Sequence, residues 1–126
     1  MNHESPVING DGSYSRDFTY IDNVISMNLL CLTTDNQKAL NQVYNSAVGK
    51  RTTLVELTEL IKKNLLRFDQ SISSVEIFYG PNRKGDIPHS LASVEKAKQI
   101  LGYKASHSVD SGIKDTLRWY LAKLKN

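Results

Sequence analysis

Between Gln42 and Arg67 the chain reads as strand, glycine turn and helix, which is half of a βαβ unit. Val43, Tyr44, Ala47 and Val48 make the strand over Gln42 to Val48, and Gly49 ends it. Thr53 and Glu56 stand at the spacing of a capping box, in which a hydroxyl and a carboxylate satisfy each other's orphan amides. Leu54, Leu57, Leu60, Ile61 and Leu65 recur at helical spacing, so the helix runs to about Arg67. The strand has no sequence neighbour to pair with. A lone buried strand leaves unpaired backbone donors and acceptors, so a chain built around this unit is incomplete unless something covers that edge.

The remaining elements do not supply the missing sheet. Pro6 to Asn9 is a short strand running into the turn Gly10-Asp11-Gly12, and Arg16 to Ile21 returns as the second arm of a hairpin. Asp22 is the expected N-cap of a largely buried helix, Val24 to Leu32. Thr33 to Leu40 is polar, a loop with at most a helical turn. Val75 to Tyr79 is another strand, broken by Gly80-Pro81-Asn82. Ser93 caps a short helix, Val94 to Leu101, and Gly102 sits where a left-handed glycine ends one. Ser108 or Asp110 opens the last helix, with an apolar stripe of Ile113, Leu117, Tyr120, Leu121 and Leu124. The fold class is α/β, and residues 1–126 form a single partial domain.

Composition narrows the function classes. The 126 residues are 40% hydrophobic and 23% charged, ordinary globular values. No segment approaches the roughly 20 apolar residues of a membrane span, and the polar start carries Glu4, unlike a signal peptide. The expectation is a soluble cytoplasmic protein without a membrane partner. Cys31, the one cysteine, excludes an internal disulfide and is expected to pack as a small hydrophobe. A net charge of +3 with basic residues gathered late, from Lys62-Lys63 to Lys123 and Lys125, reads as solvated helix faces. No aromatic stripe interleaves with them, so no nucleic acid is expected.

Two loops carry residues suited to an anionic ligand. Gly10-Asp11-Gly12 permits close approach, and Arg16 beyond it offers a planar fork to a phosphate. The plain structural reading is a hairpin turn with Arg16 paired to Asp17. Arg83-Lys84-Gly85-Asp86 follows a strand, with an arginine suited to a diphosphate and a carboxylate able to accept from a ribose diol. Its plain reading is a solvated turn. His89 has no Cys, Asp or Glu at ligand spacing, so no metal site is assigned.

Taken in order, the motifs resemble a known family. They run Ile8-Asn9-Gly10-Asp11-Gly12, Ser15-Arg16-Asp17-Phe18, Tyr20-Ile21-Asp22-Asn23-Val24, Val43-Tyr44-Asn45, Ala47-Val48-Gly49 and Arg51-Thr52-Thr53-Leu54. Arg83-x-Gly85-Asp86-x-x-His89-Ser90, Leu101-Gly102-Tyr103 and Gly112-Ile113-x-x-Thr116-Leu117-x-Trp119-Tyr120 complete the series. From about Val7 to Tyr120 the chain resembles the carboxy-terminal part of an extended short-chain dehydrogenase/reductase of the NAD-dependent epimerase/dehydratase family. His89-Ser90 and Trp119-Tyr120 look most like the UDP-N-acetylglucosamine 4-epimerases of surface-polysaccharide synthesis. The resemblance implies a substrate lobe plus a late strand of the Rossmann sheet, Val43 to Val48, with the first Rossmann units absent. It implies that Arg16 and Arg83 contact a UDP diphosphate, that Asp86 holds the ribose, and that Ile8 and Asn9 lie along the uracil. Ser93, Ala105 and Ser111 depart from the residues usual there, which touches fine specificity more than ligand class.

The family's hydride chemistry requires NAD on a glycine-rich turn and a Tyr-x-x-x-Lys pair. None of the six tyrosines has lysine four residues on, and the seven glycines form no Gly-x-x-Gly-x-x-Gly. NAD therefore belongs to the parent family, with none expected on this chain alone. The expected function is the UDP-sugar-binding portion of an NAD-dependent 4-epimerase, truncated or split and inactive alone, with a complementary NAD-binding half or self-association. The alternative is a stand-alone nucleotide-sugar-binding or interaction module without catalysis.

Overall fold

The computed structural model describes residues 3–124, the Leu124 side chain excepted, so the expected place of Leu124 in the last apolar stripe, and Lys125 in the tail, lie outside the described residues. The elements are β1 (Val7–Asn9), β2 (Ser15–Arg16), α1 (Ile21–Thr33), β3 (Thr52–Thr53), α2 (Leu54–Leu65), β4 (Phe78–Gly80), α3 (Glu95–Leu101) and α4 (Val109–Leu124). Short 3-10 turns occupy Gln37–Ala39 and Gln70–Ser74.

The expected hairpin is replaced by two separate two-stranded sheets. β1 pairs in parallel with β4, Val7 opposite Phe78 and Asn9 opposite Gly80, while β2 pairs antiparallel with β3. The turn between β1 and β2 explains the change. Gly10 and Gly12 take left-handed φ values of 80° and 79°, and a Cβ on Gly12 would stand 2.4 Å from Val55 Cγ2. The chain is thereby turned onto the start of α2, where Tyr14 O accepts from Leu54 N (3.0 Å) and Gly12 O from Val55 N (3.2 Å). Those amides have no intrahelical partner, so the turn supplies it.

The α2 capping box forms as the sequence predicts, with Thr53 Oγ1 accepting from Glu56 N (3.2 Å) and Glu56 Oε2 from Thr53 N (2.7 Å). Such a cap contributes about 1 kcal/mol. Elsewhere the caps differ. Tyr20, not Asp22, precedes α1 and makes no side-chain cap bond, which leaves Asp22 in the first turn. Val94 takes the N-cap place before α3, and Ser93 instead uses its carbonyl to accept from Asn45 Nδ2 (3.1 Å). Of the two candidates before α4, Ser108 is the cap, its Oγ accepting from Ser111 N (3.3 Å). Gly102 ends α3 with φ 66°, as expected.

The main buried cluster joins Met27, Ala39, Ala47, Val94, Ala97, Leu101 and Tyr103. Asn23, fully buried, ties α1 to the segment before α4: Nδ2 donates to His107 O (2.8 Å) and Oδ1 accepts from Ser106 N (2.9 Å) and His107 N (3.0 Å). Tyr103 Oη donates to Ala47 O (2.9 Å). α2 packs on α4, where the buried Asn64 donates to Asp110 Oδ1 (3.0 Å) and Asp110 pairs with Lys114.

Residues 42–48 form no ladder. Val43 is exposed, and the main chain here meets side chains instead: Lys96 Nζ donates to Val43 O (3.0 Å). Asp17 accepts from Val48 N (3.1 Å) and Gly49 N (2.9 Å). No strand among the described residues lies beside this segment, so the expected ladder has nothing to bond to. α1 is likewise less buried than its apolar sequence predicts. Only Asn23 and Met27 are buried on it, and Cys31, one turn past Met27, is exposed where the core ends.

Candidate functional site

Ile8 and Asn9 reach the site on β1, Arg16 on β2, and Arg83 and Asp86 on the loop that follows β4. The parallel β1–β4 pair brings the glycine turn and this loop together. Gly10 N donates to Gly80 O (2.9 Å), and a Cβ on Gly10 would stand 2.2 Å from Asn82 Oδ1. The loop itself, residues 81–90, is exposed throughout.

Arg16 is the hub. Its Nη1 donates to Ser15 O (2.9 Å) and Pro88 O (3.3 Å), and its Nη2 meets Asp86 Oδ1 at 3.1 Å. The expected Arg16–Asp17 pair does not form, because Asp17 is committed to the amides of Val48 and Gly49. Asp86 N donates to Arg83 O (3.2 Å), so Arg83 to Asp86 is a tight turn, and Gly85 takes φ 83° within it. The Arg83 guanidinium forms no hydrogen bond or ion pair among the described residues. Of the expected contact residues, the structure thus joins Arg16 to Asp86 directly, with Arg83 on the same turn. Ile8 is a different case: its side chain is buried, so its main chain is what β1 can offer.

Three further residues shape the site. Asn82 lies against Gly10, while Ser15 meets His89, whose Nδ1 is 3.0 Å from Ser15 Oγ. The sequence carried a partial signal for the last, since His89 lies three residues beyond Asp86. Ser15 enters the sequence reading only as the residue before Arg16, and Asn82 only as part of a strand-breaking turn, because their roles here depend on chain crossings. At the turn, Asp11 is held below the usual carboxylate range, first by the hydroxyl of Ser13 and then by its amide. Two guanidinium groups and one carboxylate can bind a dianion beside a diol. With Arg16 and Asp86 paired, Arg83 and Lys84 leave the loop net positive. No cluster of His, Cys, Asp or Glu suited to a metal ion occurs among the described residues, nor any helix long and apolar enough to cross a membrane.

Comparison with known proteins places the chain in a family. The family model for GDP-mannose 4,6-dehydratase matches residues 1–116. A UDP-glucose 4-epimerase of Thermotoga maritima, solved with UDP-glucose, is 34% identical with a TM-score of 0.82, over 97% of this chain and 36% of its own. A UDP-N-acetylglucosamine 4-epimerase of Methanobrevibacter ruminantium, solved with UDP-N-acetylmuramic acid, is 33% identical with a TM-score of 0.82, over 97% and 36%. The Bordetella bronchiseptica enzyme WbmF, solved with NAD+ and UDP, is 29% identical with a TM-score of 0.68, over 90% and 31%. The chain spans about a third of the length of the curated relatives it matches, 35% in the case of a putative UDP-glucose 4-epimerase from Methanocaldococcus jannaschii. It therefore belongs to the GDP-mannose 4,6-dehydratase family of extended short-chain dehydrogenases/reductases, and corresponds to a carboxy-terminal part of that α/β fold.

Proposed function

We propose that this chain is the UDP-sugar-binding portion of an NAD-dependent 4-epimerase. The observation that carries it is the meeting of Arg16 and Asp86, 70 residues apart in sequence, at 3.1 Å on an exposed face that also holds Arg83. Arg16 and Arg83 grip the diphosphate, Asp86 takes the ribose hydroxyls, and the β1 main chain at Ile8 and Asn9 borders the base. Titration with UDP and UDP-N-acetylglucosamine, followed by amide NMR, tests this. Resonances near Arg16, Arg83 and Asp86 should shift, and Arg16→Ala or Arg83→Ala should weaken binding at least tenfold, as expected for a charge-assisted contact. An intact spectrum that ignores both ligands would reject it.

NAD supplies hydride transfer in the parent family, and the residues here do not fit it. Among the described residues, the strand that runs directly into a helix is β3 into α2. Its Leu54, Val55 and Glu56 amides already bond Tyr14 O, Gly12 O and Thr53 Oγ1, which leaves no cradle for a pyrophosphate. The chain's own part is to bind and orient the nucleotide sugar. Turnover then needs a complementary NAD-binding portion.

The outer face of α1 favours such a partner. Ile21, Ile25, Leu29 and Leu32 are all exposed and recur at helical spacing, a stripe that ordinary soluble surfaces avoid. An apolar groove of about 370 Å³ between Pro6, Ile61, Leu65, Ile72 and Ile77 adds to the uncovered surface. Mixing the chain with the separately expressed amino-terminal part of a relative should restore epimerisation, and Leu29→Glu should abolish the gain. Binding of UDP without any restored turnover would favour the stand-alone module, and a concentration-dependent dimer would favour self-association.

A further inference from the structure

Building on the nucleotide-sugar reading of the same face, we infer that Ser15 and His89 are a positioning pair. They fasten the 81–90 loop so that Asp86 stays opposite Arg16. Ser15 is 3% exposed and lies between two neighbours. On one side it pairs with Thr53 of β3; on the other it forms a parallel bridge with His89. Ser15 N donates to Pro88 O (2.9 Å), Ser90 N donates to Ser15 O (3.0 Å), and Ser15 Oγ meets His89 Nδ1 at 3.0 Å. Three hydrogen bonds thus converge on one buried residue.

The loop has little else to hold it. None of residues 81–90 is buried, so no apolar packing fixes its path. Its other attachments are Asn82 against Gly10 and the bonds of Arg16 to Pro88 O and Asp86. Arg16 follows Ser15 directly, and Asp86 precedes His89 by three residues, so the bridge sets how far apart the two ligand-facing groups stand. Arg16 cannot serve as the sole anchor, because a bound diphosphate would compete with Asp86 for its guanidinium. The Ser15–His89 contact lies outside that competition and keeps the loop in register while the ligand enters. Either partner can donate, according to the imidazole tautomer. An asparagine at 89 offers both a donor and an acceptor near the Nδ1 position, so it preserves the contact in either case.

The test uses the full chain with Ser15→Ala, His89→Ala, the double variant and His89→Asn. UDP affinity is measured by titration, and amide hydrogen exchange at Asp86 and Ser90 is measured without ligand. Each alanine variant should weaken UDP binding about fivefold, the loss of one hydrogen bond, and speed exchange at both amides. The double variant should be no worse than either single one, and His89→Asn should restore both readouts. Unchanged exchange in His89→Ala, multiplying losses in the double variant, or failure of asparagine to rescue would overturn the pairing. His89 is exposed, so its variants fold even where Ser15→Ala does not. A wild-type chain without UDP response would reject the nucleotide-sugar reading and, with it, the role in ligand binding. Exchange would then still decide whether the pair anchors the loop.

Discussion

Two loops are held in opposite ways. Residues 102–108, between α3 and α4, are anchored from inside: Tyr103 is buried against Ala47, and fully buried Asn23 bonds the amides of Ser106 and His107 and the carbonyl of His107. Residues 81–90 contribute no buried side chain and hang on Ser15 and Arg16. The first loop is part of the core and sets where α4 begins. The second can yield, as the proposed ligand-binding role requires, since opening free energies vary across a structure and binding segments come from the low end.

Breaking the inner anchor should have the largest effect. Asn23→Ala leaves two part-buried amides and a carbonyl without their Asn23 partner, and should cost about 3 kcal/mol in urea unfolding, with UDP affinity changed only as far as folding is. Tyr103→Phe removes one buried bond while keeping the ring in place, and should cost about 1 kcal/mol. A loss as large for the loop variant Asp86→Asn would erase the distinction between the two loops.

That distinction was only partly legible in the sequence. The capping box at Thr53 and the glycine stop at Gly102 are local signals, and local chemistry fixes them. Asn23 and Asp17 act at long range. Asn23 stands out only as a member of the Tyr20–Val24 motif, ahead of the expected helix, and Asp17 reads as the partner of its neighbour Arg16. Which groups they satisfy depends on where residues 106–107 and 48–49 pass, which no spacing encodes. The hairpin failed for the same reason: Gly12 permits a close approach to Val55, and whether that approach happens is decided by α2. Residues 42–48 have strand-like composition and yet form no ladder, because a ladder needs a second chain segment.

The outer loop should respond quite differently to mutation. Asp86→Asn removes a partly exposed ion pair and should change stability by less than about 1 kcal/mol, the usual range for such pairs. Amide exchange across 83–87 should nevertheless rise, since the ion pair from Arg16 to the turn is then at most a neutral hydrogen bond. A large stability loss with unchanged exchange would mean that the loop is held as the core is.

The smallest effect concerns a third segment held in the exposed manner. His3 Nε2 lies 2.7 Å from Asp69 Oδ2 and 3.0 Å from Ser71 Oγ, which ties the chain ahead of β1 to the turn after α2. The hydroxyl of Ser71, then His3 and the Ser71 amide, hold the Asp69 carboxyl down at about 2 against an ordinary 3.8. A depressed carboxylate contributes stability that is fully present above its unfolded value and is lost as pH falls through the folded one. The tie should therefore be intact above pH 3.8 and fade as pH falls toward about 2. Asp69→Asn should flatten the pH dependence of stability in that window alone. Because the groups are exposed, the change should show first as faster exchange at Ser71, while the Asn23-anchored segment keeps its protection. Simultaneous loss at both places would mean that tether and core open together, and that the difference between the two loops is one of position and not of strength.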